Sequence, residues 1–225
     1  MKRSTILFSE MTPDASWEQE FHDWYNDEHI PVRMAVKGFQ GARRYAASDN
    51  GGYLAVYEMD GPDVLQGPAY AEVKGKPSEL TKRMLSEVKG FTRYTGNTYS
   101  VKCQPGLSYE EALDSPFLYS VLFRVPADEY GDFNNWYEKD HVPTLMECED
   151  WLMVRRFDVF DGHPENFTHL ALHHLRDLSA LDSDARAKAR ASDWRALLAD
   201  RTWFKGTYRT FRHMRSFEST HDKQE

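Results

Sequence analysis

FHDWYNDEHIP at residues 21–31 returns as FNNWYEKDHVP at residues 133–143, with five of eleven positions identical, Glu28 answered by Asp140 and Ile30 by Val142. An offset of 112 in a chain of 225 residues marks a tandem duplication of one small module. The match continues beyond the motif. Arg43-Arg44-Tyr45 pairs with Arg155-Arg156-Phe157 at the same offset, and Tyr53-Leu54-Ala55-Val56-Tyr57 pairs with His169-Leu170-Ala171-Leu172-His173 at 116, so one loop of the second copy is four residues longer.

Around that motif each copy has the same local signals. A short apolar, β-prone segment opens it, at 5–9 and 117–125. In the second copy Phe133, Trp136, Tyr137, Asp140 and His141 fall at i, i+3, i+4, i+7 and i+8, one stripe of a helix that Asp128 is placed to cap. Pro31 and Pro143 disfavour helical geometry at the residue before them, which predicts His29 and His141 at helix C-termini. Segments 38–47 and 52–59 flank the turn-forming Ser48-Asp49-Asn50-Gly51 and read as a hairpin, as do 151–160 and 167–175. A polar helical region follows, near 77–89 and 182–200, and a last strand closes each copy at 92–102 and 203–214.

The order is βαββαβ, twice, which predicts an α+β protein of two ferredoxin-like modules. Each is a four-stranded antiparallel sheet with helices on one face. The bare face needs cover, and the other copy is the nearest supply, so the two sheets are expected to pack face to face as an intramolecular barrel around an interior pocket. The expected division is 1–104 for the first module, a 105–114 linker, 115–216 for the second module, and a polar tail at 217–225.

Composition removes several function classes. A net charge of −8 opposes a general nucleic-acid binder, which needs a basic face. The basic residues between Asp184 and Arg201 are interrupted by acids and read as a solvated helix face. Two cysteines are too few for a disulfide framework, the opening apolar run is too short for a secretory signal, and no stretch approaches a membrane span. The expectation is a cytoplasmic protein.

The pattern F-x-x-W-Y-x-x-x-H-[IV]-P, set on a helix between a first strand and a hairpin, resembles the dimeric α+β barrel superfamily and, within it, the EthD-like branch. The resemblance spans roughly 4–103 and 115–215. It implies the barrel fold and a small-molecule pocket. Relatives include lactone isomerases, polyketide cyclases, quinone-forming monooxygenases and haem-handling enzymes, so the fold by itself selects no reaction.

His29 and His141 are the candidate proton-transfer groups, because imidazole titrates nearest working pH and a helix C-terminus favours its protonated form. Glu28 and Asp140 stand beside them as orienting acids. The competing reading makes each histidine a cap for carbonyls freed by the proline. Trp24, Tyr25, Trp136 and Tyr137 share the stripe and are candidate walls of a binding site. Strand alternation puts Tyr53, Ala55 and Tyr57 on one face and His169, Ala171 and His173 on the equivalent one, so Tyr57, His169 and His173 are candidate lining residues, as are Arg43 and Arg155. His169 and His173 lie about 13 Å apart along one strand and cannot share an ion, so no metal and no cofactor is expected. The leading expectation is a cofactor-independent lyase or isomerase acting on a small hydrophobic or aromatic metabolite. The alternatives are a cofactor-free monooxygenase of phenols and a non-catalytic small-molecule or haem-binding protein. The partner expected is a small-molecule substrate, with a homodimer left open.

Overall fold

A computed structural model describes residues 4–49 and 51–221; Asn50 of the predicted turn and the end of the predicted tail lie outside the described residues. The chain divides into two compact units. One takes residues 1–97, 160–164 and 214–225, the other 98–159 and 165–213.

In the first unit β1 (Thr5–Met11) is central, antiparallel to β3 (Tyr53–Met59) on one side and to β4 (Arg93–Cys103) on the other. β2 (Phe39–Ala47) adds to β3, giving the order β4-β1-β3-β2. The second unit repeats it. β5 (Phe117–Phe123) lies between β7 (His169–Leu175) and β8 (Thr207–Glu218), and β6 (Trp151–His163) adds to β7. Ser9 faces Ala55 in one sheet and Val121 faces Ala171 in the other, so the registers differ by the same 112 and 116 that relate the sequences.

The motif helices correct the sequence reading. α1 (Glu18–Trp24) runs through a wide π turn, Tyr25–His29, into α2 (Ile30–Met34). The second copy does the same with α6 (Tyr130–Trp136), Tyr137–His141 and α7 (Val142–Leu145). Proline does not end either helix. The wide turn bonds the Ile30 N–H to the Tyr25 carbonyl, five residues back, which opens the ladder where a proline ring would strike the carbonyl four residues earlier. His29 and His141 are therefore mid-helical, and no C-terminal dipole acts on them. Asp128 is not the cap either, since it falls inside a short 3₁₀ turn that begins after Pro126.

The 77–89 region is the second half of a helix pair, and the 182–200 region is a whole pair. α3 (Pro68–Gly75) precedes α4 (Glu79–Glu87), and the second region breaks into α8 (Asp184–Arg190) and α9 (Asp193–Ala199) because Ser192 caps a new helix through the Arg195 N–H. Within 105–114, α5 (Tyr109–Leu113) starts at a Ser108/Glu111 capping box and buries Ala112 and Leu113 against Leu152 and Met153.

One core of each unit lies between sheet and helices. In the first unit Leu7, Ala55 and Tyr57 meet Phe21, Trp24 and Tyr25; in the second Val121, Val154 and Ala171 meet Phe133, Trp136 and Tyr137. The strand row of Tyr57 and its equivalents thus faces the helices, not the interior pocket expected between the two sheets. A bulge at Phe39/Gly41, repeated at Trp151/Met153, also shifts parity. Phe39 and Trp151 join the helix-side cores, with Arg44 and Arg156 on that face rather than Arg43 and Arg155.

The motif acids serve this packing. Glu28 accepts from the hydroxyls of Ser78 and Thr81 at the start of α4, and Asp140 accepts from Ser192, the cap of α9. They fasten the second helix layer and do not orient the imidazoles. Ser192→Ala removes a cap and that tether together and is expected to cost about 1–2 kcal/mol, read as a lower urea midpoint with an unchanged m-value. An unaltered midpoint would remove the tether from the account.

Candidate active site

The π turn decides where the imidazole goes. A turn closed by i→i+5 bonds brings the fifth residue after Trp24, and the fourth after Tyr25, back over both rings. His29 consequently lies 4.3 Å from the Trp24 ring centre and 4.8 Å from that of Tyr25; His141 lies 4.6 Å from Trp136 and 5.1 Å from Tyr137. Neither histidine caps the helix. Arg33 satisfies the His29 carbonyl at 2.7 Å and Thr144 the Asp140 carbonyl at 2.8 Å, whereas Nδ1 of each imidazole is buried with no partner among the described residues. Burial, with the Arg33 and Arg44 charges, holds His29 well below the ordinary histidine range, and burial with Arg195 lowers His141 to about 3. Both are neutral imidazoles at physiological pH, contrary to the protonated form that a helix C-terminus would favour.

Beneath the tyrosine of each motif sits an arginine that sequence parity had turned away. The Arg44 guanidinium is 4.5 Å from the Tyr25 ring centre and bonds Asn26 at 2.8 Å and His22 at 3.0 Å. Arg156 is 4.2 Å from the Tyr137 ring and bonds Glu138 at 2.6 Å and Asn134. A cation under a phenol ring strengthens the phenol as a donor. Burial still dominates and keeps both phenols protonated.

His29 and Tyr25 open on a cavity of about 310 Å³ in the first unit, lined also by Ser9, Tyr57, Tyr70 and Phe91 and rimmed by Arg33, Lys74 and Arg93. That size is within the range of small-molecule pockets. The equivalent cavity of the second unit has about 40 Å³ of inner room. Three positions of the shared lining carry larger residues here, Tyr119 for Leu7, Val121 for Ser9 and Phe123 for Met11, and Trp151, in place of the core residue Phe39, joins the lining. Here the Trp151 indole donates to Nδ1 of His173 at 3.0 Å, which places the imidazole proton on Nε2, 3.1 Å from the Tyr137 hydroxyl. The Tyr137 proton is thus left for whatever enters.

The remaining candidates separate. Tyr57, Trp136 and His173 line cavities; Trp24 backs His29 and donates to Thr81 at 2.8 Å. His169 does not line the second cavity but stacks against Tyr130 and Phe133. Arg43 and Arg155 belong to the opposite sheet face, where Arg43 pairs with Glu218 at 3.4 Å and Arg155 bonds His174 and Tyr109. Arg44, Arg156, Arg33 and Arg186 were missed. Arg44 sits directly opposite Ala55 in the hairpin, so the strand register would have placed it, had the bulge been readable. Among the described residues no group of three or more His, Cys, Asp or Glu side chains could hold a metal, and no helix is long and apolar enough to cross a membrane.

No family model and no curated protein matches the chain. Solved structures do. An anthrone oxidase-like protein superposes with a TM-score of 0.75 at 10% identity, covering 98% of this chain and 94% of its own. A candidate monooxygenase from Fusobacterium nucleatum gives 0.59 at 11% identity over 97% and 96%, and a chlorite dismutase variant from Candidatus Nitrospira defluvii gives 0.56 at 8% over 95% and 92%. At these identities the likeness establishes the fold alone, α+β with antiparallel sheets.

Proposed function

We propose that this chain is a cofactor-independent enzyme whose first-unit cavity removes a proton from a small aromatic or otherwise enolisable metabolite. His29 is the base. The observation that carries the reading is a buried, neutral imidazole, His29, among the residues that line a 310 Å³ cavity. The Tyr25 phenol, with Arg44 beneath its ring, is the donor that meets the developing enolate or phenolate. A negative charge forming beside the imidazole offsets the burial that depresses its basicity, so proton transfer becomes favourable in the complex and not before. Phe91, Tyr70 and Leu7 supply the apolar walls, and Trp24 holds the base from behind. His141 and the second-unit lining keep the same frame in a space too small for the same substrate. The tandem EthD-like duplication accounts for a frame built twice and used unequally.

Reprotonation at another carbon makes the reaction an isomerisation, and expulsion of a leaving group makes it a lyase reaction. Capture of dioxygen by the carbanion is the second reading, favoured by the likeness to an anthrone oxidase-like protein. In that case one dioxygen converts a ring CH₂ to C=O and releases water. His173 is a poor axial ligand for a haem, because both its nitrogens are engaged. Anthrone and enolisable cyclic ketones, assayed with an oxygen electrode and by solvent deuterium incorporation, separate the readings. Isomerase or lyase chemistry incorporates deuterium without oxygen uptake. The oxidase reading expects one dioxygen per anthrone. An enzyme that catalyses neither exchange nor uptake with any such substrate would end the proposal.

A further inference from the structure

The geometry points to a second binding site, at the mouth of the cavity of the second unit, that takes a small aromatic carboxylate. Its inner room, about 40 Å³, is too small for a ring, so the ligand sits in the open mouth against the aromatic rim. Three arginines line it: Arg186 and Arg190 from α8 and Arg195 from α9. Among the described residues no carboxylate lines the cavity and none pairs with any of the three. Neighbouring cations of the same helical region do pair, Lys188 with Glu147 and Arg201 with Glu129. The residues 184–201 that read as a solvated face thus turn three of their cations onto one opening.

The other polar groups at the cavity agree in sign. Tyr137 has its proton free because its oxygen faces the Nε2–H of His173. Arg186 is held in place by its bond to the Leu181 carbonyl, and Arg195 lies 5.7 Å from the Phe204 ring centre. Tyr119 and Tyr208, stacked nearly parallel on each other with centroids 6.1 Å apart, form part of the aromatic rim. Burial and the nearby Arg190 charge both lower the Arg195 pKa, a cost that a bound anion relieves. A lining made of donors and cations selects an acceptor-only ligand, and a guanidinium matches a carboxylate in two-pronged geometry. Separate substitutions test this site without involving the first-unit chemistry.

Isothermal titration with benzoate at low salt is the test, with benzamide as the uncharged control. Saturable benzoate binding at one site is expected, with benzamide at least tenfold weaker. Arg190→Gln, on an exposed side chain that folding does not need, and Arg195→Gln each weaken benzoate about tenfold, the loss of one charge-assisted contact. Lys74→Gln and His29→Gln, in the first unit, leave it unchanged. Failure of benzoate to bind, equal affinity for benzamide, or loss of binding in Lys74→Gln with retention in Arg190→Gln would each overturn the assignment.

Discussion

His29→Gln lowers turnover by about 10²- to 10⁴-fold, the range that a positioned base contributes, with substrate affinity little changed. Glutamine keeps a polar group between Trp24 and Tyr25 but cannot accept the substrate proton. Tyr25→Phe is expected to lower turnover too, through the lost donor, while leaving the Arg44 guanidinium under a ring of the same shape. His141→Gln leaves turnover within a few-fold, because the second-unit cavity has little room for the same substrate. The measurement is steady-state kinetics on a substrate found by thermal-shift screening of planar phenols and cyclic ketones. Full activity in the His29 variant, with native circular dichroism, would sink the mechanism; so would a His141 variant that is the dead one.

Mild acid is the second large effect. His29, His141, His169 and His173 all have pKa values held below the ordinary histidine value by burial, to about 3 for His141 and His169. Between pH 6.5 and 3 the unfolded chain binds protons at these sites that the folded chain refuses. The stability they contribute is therefore fully present above about pH 6.5 and drains away as pH falls. His141 and His169 each contribute a slope of about 1.4 kcal/mol per pH unit inside that window, and His29 and His173 act in the same direction. Urea midpoints at pH 7.5, 6, 5 and 4.5 should fall steeply below pH 6, and His169→Phe should flatten that fall by about one proton. A midpoint constant from pH 7.5 to 5 would show that the histidines titrate normally in the folded state.

The asymmetry of the two cavities was legible before any coordinates, although it takes the repeat alignment to see it. Leu7/Tyr119, Ser9/Val121, Met11/Phe123 and Phe39/Trp151 each put the larger residue in the second copy. The offset alone predicts which cavity is smaller, provided the face they share is known. That face was not legible. Strand alternation gives two sets of residues and does not say which one the helices cover, because both faces of these strands are apolar. The bulge at Phe39/Gly41 added a second error by exchanging Arg43 for Arg44, since one inserted residue flips every side chain before it.

The sequence by itself determined the duplicated βαββαβ frame, the hairpin offsets and the stripe of Phe, Trp, Tyr and His on each motif helix, because periodicity and turn chemistry act over a few neighbouring residues. Tertiary structure alone decided that proline lies within a continuous helix, that the acids tether α4 and α9 instead of the imidazoles, and that α8 and α9 turn three arginines onto one cavity. Those outcomes depend on which distant groups come within hydrogen-bonding reach once the helices settle on the sheet, and no local spacing encodes that.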